Sequence, residues 1–422
     1  MSGTLVCLEL GRRLEQAGHD VTLATIAAHR ERAGAAGLGF APLPAIELAP
    51  FRCRIAPLGK NPFVRLPARR RARLALSAET LGGAAYRRVA QQVAPDLSLI
   101  DFELHGPIVT ELAMGSRVAL IHHFFSTAES ANNPPLSAAL LPGDEAAMRR
   151  AWRQLQRWKT WRRWSLAVRH WGGDLASSID FAAQQAGLAR LPKDWRRWQY
   201  PWGYRLPHLV TGAAALDLPP PKHLDFRYIG PLIPPAQHGE PVMTRARALA
   251  EKVLLAAFGS MEAPPAAFVA KLWQAVAPRA DWQLVHLLPE GAPRPNAAPP
   301  SNVTLVPWAD QRAALRQADL MLNHGGAASV REAAAAGVPQ LVLARRKVDW
   351  PGSVTRVLHH GIGLSLTETM DAPAMARAIA TGLDDPAIRA AARAMADACA
   401  RYDTAHIAES EVARLLADGE SL

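Results

Sequence analysis

The chain is poor in cysteine. Cys7, Cys53 and Cys399 are its three thiols in 422 residues, and their wide separation suggests neither a disulfide framework nor a metal-ligand spacing. It also lacks any apolar run of the roughly 18 residues a membrane span requires, because Arg, Asp or Pro interrupts every candidate. Glu9, Arg12 and Arg13 break the first apolar stretch early, so no secretory signal is read there. With 49% hydrophobic and 20% charged residues, collagen-like and disordered classes are excluded as well. A reducing, cytoplasmic compartment is the expectation. Acidic residues are scarce in one half only: residues 1–220 hold 28 Lys and Arg against 17 Asp and Glu, whereas 221–422 hold 20 of each. The net charge of +11 therefore sits in the first half, which suggests a polyanionic partner, either nucleic acid or an acidic membrane face.

Length favours two domains. In the first half the pattern predicts helix over Leu5–Ala17, strand over Val21–Thr25, helix over Ala84–Val93 and strand over Leu97–Ile100, running into Asp101. A helix near Ile108–Met114 and a strand at Val118–His122 follow. Strands alternating with helices imply a parallel, doubly wound sheet. Residues 144–204 differ, being rich in Trp and Arg, and read as a basic helical insert. A Pro-rich stretch from Pro219 to Pro241 reads as an interdomain linker. After it the alternation restarts, with strands at Val253–Phe258, Trp282–Leu288, Val303–Val306, Leu320–Asn323 and Gln340–Ala344. Between them lie helices at Phe268–Val276, Gln311–Gln317 and Ala328–Ala336, and a helical tail reaches Leu416. The expected division is 1–218, a linker at 219–241, and 242–422: two Rossmann-like halves.

Chemistry concentrates in 303–363. The strand ending at Asn323 is followed by His324, Gly325 and Gly326, then a helix. Glycines at such a turn let the backbone approach a ligand, and the helix N-terminus offers free N–H groups to a phosphate. Ser329 adds a hydroxyl in the first turn and His324 a donor beside it. Glu332, one turn on, can accept from ribose hydroxyls. Trp308 follows a strand, where its face can hold a nucleobase by stacking.

These residues resemble the C-terminal donor signature of family-one, GT-B-fold glycosyltransferases, which use nucleotide-diphosphate sugars. The match continues through Ala336-Gly-Val-Pro339, Asp349 and Pro351-Gly352 to His360-Gly-Ile-Gly363. Phe258-Gly-Ser260 is similar to the family's phosphate-side loop, Tyr228-Ile-Gly-Pro-Leu232 to its linker, and Leu14–Thr25 to its first helix and second strand. Asp101 stands where the family often keeps an aspartate. The run from Asp349 to Gly363 looks most like bacterial carotenoid (zeaxanthin) glucosyltransferases, with macrolide and sterol glycosyltransferases close behind. The resemblance implies a GT-B fold with the acceptor bound by the N-terminal domain and the donor by the C-terminal one. It implies Trp308 stacked on uracil and Gln311 near base or ribose. Ser260, His324 and Ser329 would contact the diphosphate together with Gly325 and Gly326, Glu332 the ribose, and Asp349 the sugar hydroxyls.

Two departures accompany it. Trp350 follows Asp349 where the family often has Gln, which bears on the identity of the sugar. Family members open with a strand and a glycine-rich loop carrying a His or Asp base, whereas Met1–Thr4 falls inside that loop and Gly3 aligns with the base. The first strand is therefore expected to be missing. Asp101 inherits the proton-handling role, with a pKa raised by burial, and His105, His122 and His123 stand behind it. The expected reaction is inverting transfer of a sugar, with glucose from UDP-glucose as the expected donor, to a hydroxyl of a lipophilic small molecule. No metal and no cofactor beyond the UDP-sugar co-substrate are expected, since the helix at Gly325 would stabilise the leaving diphosphate. The alternatives are a non-catalytic relative that binds nucleotide sugar and a nucleotide-sugar epimerase of the same fold. Finally, Trp152, Trp158, Trp161, Trp164 and Trp171 interleave with basic residues across 144–172, a composition of interfacial helices. No nucleic-acid fold motif accompanies it, so the expected partner there is an anionic membrane surface and the expected location peripheral, at the inner membrane face.

Overall fold

The structure, a computed structural model, describes residues 2–46, 62–169, 174–193, 203–234, 239–259, 263–345 and 349–417. The N-terminal half opens with helix α1 (Ser2–Gln16), which buries Leu8, Leu10 and Leu14. Strand β1 (Thr22–Thr25), helix α2 (Arg30–Ala35) and strand β2 (Gly39–Pro42) follow, and the two strands pair in parallel. Helices α3 (Pro62–Thr80) and α4 (Gly83–Val93) lead to β3 (Ser98–Asp101), α5 (His105–Met114), β4 (Val118–His122) and α6 (Glu145–Arg169). Then come α7 (Leu175–Gln185), β5 (His208–Val210) and β6 (Phe226–Tyr228). Strands β3 to β6 form a parallel sheet in chain order. Among the described residues this half thus carries two sheets, β1–β2 and β3–β6, and α1 packs over both: Leu10 and Leu14 meet Ile121 and Leu209, while Leu8 meets Leu38.

The C-terminal half comprises α8 (Pro241–Leu249), β7 (Lys252–Ala257), α9 (Ala266–Val276), β8 (Trp282–Leu287), β9 (Val303–Val306), α10 (Gln311–Leu315) and β10 (Leu320–Asn323). It continues with α11 (Ala327–Ala335), β11 (Gln340–Leu343), α12 (Trp350–His359), β12 (Gly363–Leu366), α13 (Ala372–Asp384), α14 (Pro386–Thr404) and α15 (Ile407–Ala417). Its six strands, in the order β12-β11-β10-β7-β8-β9, are all parallel. Leu320-Met-Leu-Asn323 and Gln340–Leu343 are buried along their whole length, as strands covered on both faces by helices must be. Asp371 and Asp385 cap α13 and α14 by accepting from backbone N–H groups, each with Pro in the first turn. Chain order reverses between β7 and β10. That switch point opens a crevice at the carboxyl ends of the strands, where open α/β sheets bind ligands.

Three expectations about organisation need correction. Residues 219–241 are not simply linker, because Phe226–Tyr228 pairs with β5 and extends the N-terminal sheet. Residues 144–204 are not simply an insert: Ile179 and Ala183 of α7 pack on Leu81 and Val109 in the core of the first half. And 242–422 is not one packing unit, since Ala408 and Val412 of α15 return to pack beside Leu10 and Leu209. In each case long-range packing, which composition does not encode, decides the boundary.

The halves meet through a shared core, in which Phe125, Leu136 and Leu216 pack against Val330, Val354 and Val357. At its centre is a buried ion pair. Arg356 is completely buried; its Nε donates to Asp217 Oδ1 at 2.7 Å, and its other nitrogens donate to Asn133 Oδ1 and the Gly352 carbonyl. Asp217 Oδ2 accepts from the Ser126 N–H and the Tyr228 hydroxyl. Gly352 is needed beside it: its N–H donates to the Leu136 carbonyl at 2.7 Å, and a Cβ there would lie 2.7 Å from Leu136 Cα.

Removing one partner of such a pair strands a buried charge. Arg356→Met is expected to lower unfolding free energy by about 3–5 kcal/mol, and the double variant Asp217→Asn/Arg356→Met by clearly less than Asp217→Asn and Arg356→Met together. Denaturant unfolding of the three proteins checks this. Additive losses would show that the pair is not coupled.

Candidate active site

The donor-side residues gather at the switch point because β7 and β10 are neighbours, with Asn323 in register with Ala257. Both strands end there, β7 at Ala257 just before Gly259 and β10 at Asn323 just before His324. The His324 ring lies against two glycines: a Cβ on Gly259 would stand 2.7 Å from its Cε1, and one on Gly326 2.5 Å from its Nε2. Gly259 and Gly325 both have left-handed φ, +79° and +82°, which favours glycine. Behind the ring, buried Trp350 packs edge-on at 4.6 Å between centroids. Asn323 holds the turn, accepting from the Gly325 N–H at 2.8 Å and donating to Gln340, whose amide reaches the Val330 carbonyl.

Helix α11 begins at Gly326 with no side chain capping its N-terminus. Its first N–H groups are thus available to an anion, with the helix dipole behind them. Ser329 and Glu332 follow on the same helix. Gln311, at the start of α10, donates to Glu332 Oε2 at 2.5 Å and approaches Ser329 Oγ at 3.4 Å. Burial raises the Glu332 carboxyl above its ordinary value, more than the Gln311 hydrogen bond lowers it. Trp308 is 78% exposed, an unusual state for an indole and one suited to a flat ligand. The structure therefore brings Gln311, Ser329, Glu332 and His324 around one helix terminus, with Trp308 exposed three residues before Gln311. Ser260 lies outside the described residues. Asp349 stands at the start of α12, where its charge is felt by Glu103 of the other half.

The facing wall is built by register too. Strands β3 and β4 are parallel neighbours with Asp101 beside Ile121, so the residues after each strand meet at one end of the sheet. His123 Nδ1 lies 3.1 Å from Asp101 Oδ2, and its Nε2 3.7 Å from Glu103 Oε2. The expectation of an isolated Asp101 with a raised pKa is not met. Burial does push its carboxyl up, but His123 beside it and the Glu103 N–H on its Oδ1 outweigh burial and hold it below its ordinary value. Glu103 goes the other way, raised by burial and by the charges of Asp101 and Asp349 against the opposing pull of His123. His105 and His122 are buried. Desolvation pushes His105 down to about 3 and His122 well below its usual value, and they bond to the Tyr204 hydroxyl and the Phe125 carbonyl. They are packing residues. Asp101, Glu103 and His123 have ligand atoms within 4.8 Å of one another, a mixed oxygen and nitrogen set close enough to share a cation.

The two walls are joined by a residue with no sequence signal. Buried Arg331 of α11 donates to the Thr211 carbonyl, to Thr211 Oγ1 at 2.7 Å, and to the carbonyl of His123 itself. A small hollow of about 40 Å³ opens beside this clamp, with His123 on one side, Ala328 and Glu332 on the other, and Leu5 and Val6 of α1 at its edge.

Residues 272–415 match the family described as erythromycin biosynthesis protein CIII-like, C-terminal domain. The oleandomycin glycosyltransferase of Streptomyces antibioticus is 30% identical over 141 residues, 33% of each chain. The zeaxanthin glucosyltransferase of Pantoea ananas is 40% identical over 73 residues, 17% of each. The chain thus matches a third or less of these curated relatives. Solved structures match along the whole chain. The glycotransferase of kitacinnamycin superposes with a TM-score of 0.70 at 21% identity, covering 97% of this chain and 95% of its own. Glycosyltransferase VinC, solved with DTDP, gives 0.64 at 16% identity over 99% and 97%. The chain therefore has the GT-B fold, two Rossmann-like α/β halves across a cleft, and within its C-terminal half residues 272–415 are similar to the erythromycin CIII-like domain.

Proposed function

We propose that the protein is an inverting glycosyltransferase that moves a sugar, glucose from UDP-glucose in the first instance, to a hydroxyl of a lipophilic small molecule. The observation that carries this reading is the uncapped start of α11, ringed by Gln311, Ser329, Glu332 and His324 and facing His123 across the cleft, with the exposed Trp308 indole just before α10. An exposed indole, a carboxylate for a diol and a bare helix terminus for a diphosphate suit one ligand class, a nucleoside diphosphate. The relatives that match part of the chain are themselves named glycosyltransferases, which supports the same class.

In this mechanism the acceptor oxygen attacks the anomeric carbon while the bond from that carbon to the diphosphate breaks. The electron pair leaves with the nucleoside diphosphate, whose developing charge the α11 terminus and His324 stabilise. Asp349 holds the sugar hydroxyls. The acceptor proton passes to His123 Nε2, with the Asp101 carboxylate 3.1 Å from Nδ1 on the other side of the ring. Asp101 thus acts as the ionised partner that orients the ring and steadies its positive charge. No step requires a metal.

Two outcomes are expected. Glu332→Ala and His324→Ala each weaken UDP binding by about 1.5–3 kcal/mol, the worth of hydrogen bonds to charged groups, and calorimetry checks it. Because the Glu332 pKa is raised, its accepting carboxylate form is lost on acidification at a pH above the usual glutamate value of about 4.3. UDP affinity of the native protein should therefore fall there, and that of Glu332→Gln should not. UDP affinity unchanged in both alanine variants would remove the donor site.

For the chemical step, Asp101→Asn and His123→Asn should each reduce transfer about 10²–10⁴-fold with UDP binding intact, in the presence of chelator as in its absence. The assay is sugar transfer to a panel of lipophilic alcohols, with UDP- and dTDP-sugars as donors. Nucleotide binding without transfer to any acceptor would instead favour a non-catalytic protein, and conversion of the UDP-sugar with no acceptor an epimerase.

A further inference from the structure

The cleft leaves one prominent surface unused, helix α6. Its 25 residues (Glu145–Arg169) contain no acidic side chain after Glu145, and the helix runs for about 37 Å at 1.5 Å per residue. Met148, Trp152 and Lys159 are buried and define its inward face. Arg157, Trp161, Trp164 and Val168 follow an i, i+4, i+7, i+11 rhythm, so they share one stripe. That stripe lies two residues, about 200° of helix rotation, from the buried one and points directly away from the protein. The exposures agree: Trp161 is 58% exposed, Trp164 65% and Val168 56%, with Trp158 at 49% on the flank. Exposed arginines border them at 150, 153, 162 and 169. The Arg162 guanidinium lies over the Trp158 ring at 5.1 Å.

We propose that this outward face of α6 docks on an anionic lipid surface. Bulky indoles held in water are costly to a soluble protein and are not scattered here: they form one contiguous stripe on a convex helix. Indoles flanked by guanidinium groups match the headgroup layer, where rings sit at the acyl boundary and cations meet lipid phosphates. The charge is complementary, since the whole +11 excess resides in the half of the chain that carries α6. A single-stranded nucleic acid also combines stacking and charge, but it needs a groove to follow its backbone, and an isolated convex helix face offers none. The helix is anchored toward the cleft at its other end, where the Trp152 indole N–H donates to the Asn133 carbonyl and Asn133 Oδ1 accepts from Arg356. The proposal stands on surface geometry and does not depend on the reaction.

Co-sedimentation with vesicles tests it, using phosphatidylcholine alone and mixed with phosphatidylglycerol. Arg163 lies 3.7 Å from Asp174 within the protein, so the informative charge reversals are Arg157→Glu/Arg162→Glu, paired with Trp161→Ala/Trp164→Ala. The full-length protein should bind the anionic vesicles and not the neutral ones, and binding should fall as salt rises. Each double variant should lose at least about tenfold in partitioning, with its thermal unfolding and UDP affinity unchanged. Absence of binding to anionic vesicles at low salt, or variants that bind as the native protein does, overturns the proposal. So does displacement of the protein from vesicles by single-stranded RNA at equal charge concentration.

Discussion

The Asp217–Arg356 pair is the contact on which the cleft depends. Charges rarely survive in a protein interior without full compensation, and here both partners are saturated: the carboxylate accepts from Ser126, Leu218 and Tyr228 as well as from Arg356. Burial and the neighbouring carboxylate push the Tyr228 hydroxyl well above its usual value, so it remains a donor at every working pH. An apolar interface could slide. This one has a single register, because any shift between the halves would strand a guanidinium in the shared core formed by Phe125, Leu136 and Val354.

That register gives helix α11 two tasks at once. Its N-terminus presents uncapped N–H groups to the donor side, and its Arg331 side chain grips the His123 carbonyl on the other. His123 and the uncapped helix terminus are therefore linked through about one turn of helix. Asp101 approaches His123 from the neighbouring strand end, so the ring is held from both sides of the cleft. In the proposed reaction the terminus would stabilise the leaving diphosphate.

How legible this was in the sequence divides along the same line. The strands at Val118–His122, Val303–Val306 and Leu320–Asn323 carry the bounds their apolar runs suggest. The donor side was legible because it is local: His324, Ser329 and Glu332 belong to one strand–turn–helix unit, and only Trp308 and Gln311 come from the preceding one. The facing wall was not. Asp101 and His123 stand 22 positions apart and meet only because β3 and β4 are parallel neighbours, although titratable residues closing both strands were a usable sign. Arg331 and Asp217 gave no sign at all. An arginine within a helix and an aspartate near prolines read as solvent-facing until the other half of the molecule covers them. The same blindness placed a linker over β6 and assigned α15 to the wrong half, because pairing with β5 and packing on α1 are decided by distant segments.

The donor site and the acceptor wall therefore answer to different constraints. A diphosphate site needs backbone geometry, and the glycines around His324 tolerate almost no change: a Cβ at Gly259 or Gly326 would collide with the ring. The opposite wall is made of side chains brought in from separate strands and loops, each replaceable while the strand register holds. Its Glu103 feels the charge of Asp349 from the opposite half, so carboxylates approach the cleft from both sides. Trp350, buried with its ring edge-on to His324, fills the space behind the glycine turn. Side-chain changes on the facing wall are therefore accommodated by the fold more readily than any side chain at Gly259 or Gly326, where the His324 ring leaves no room.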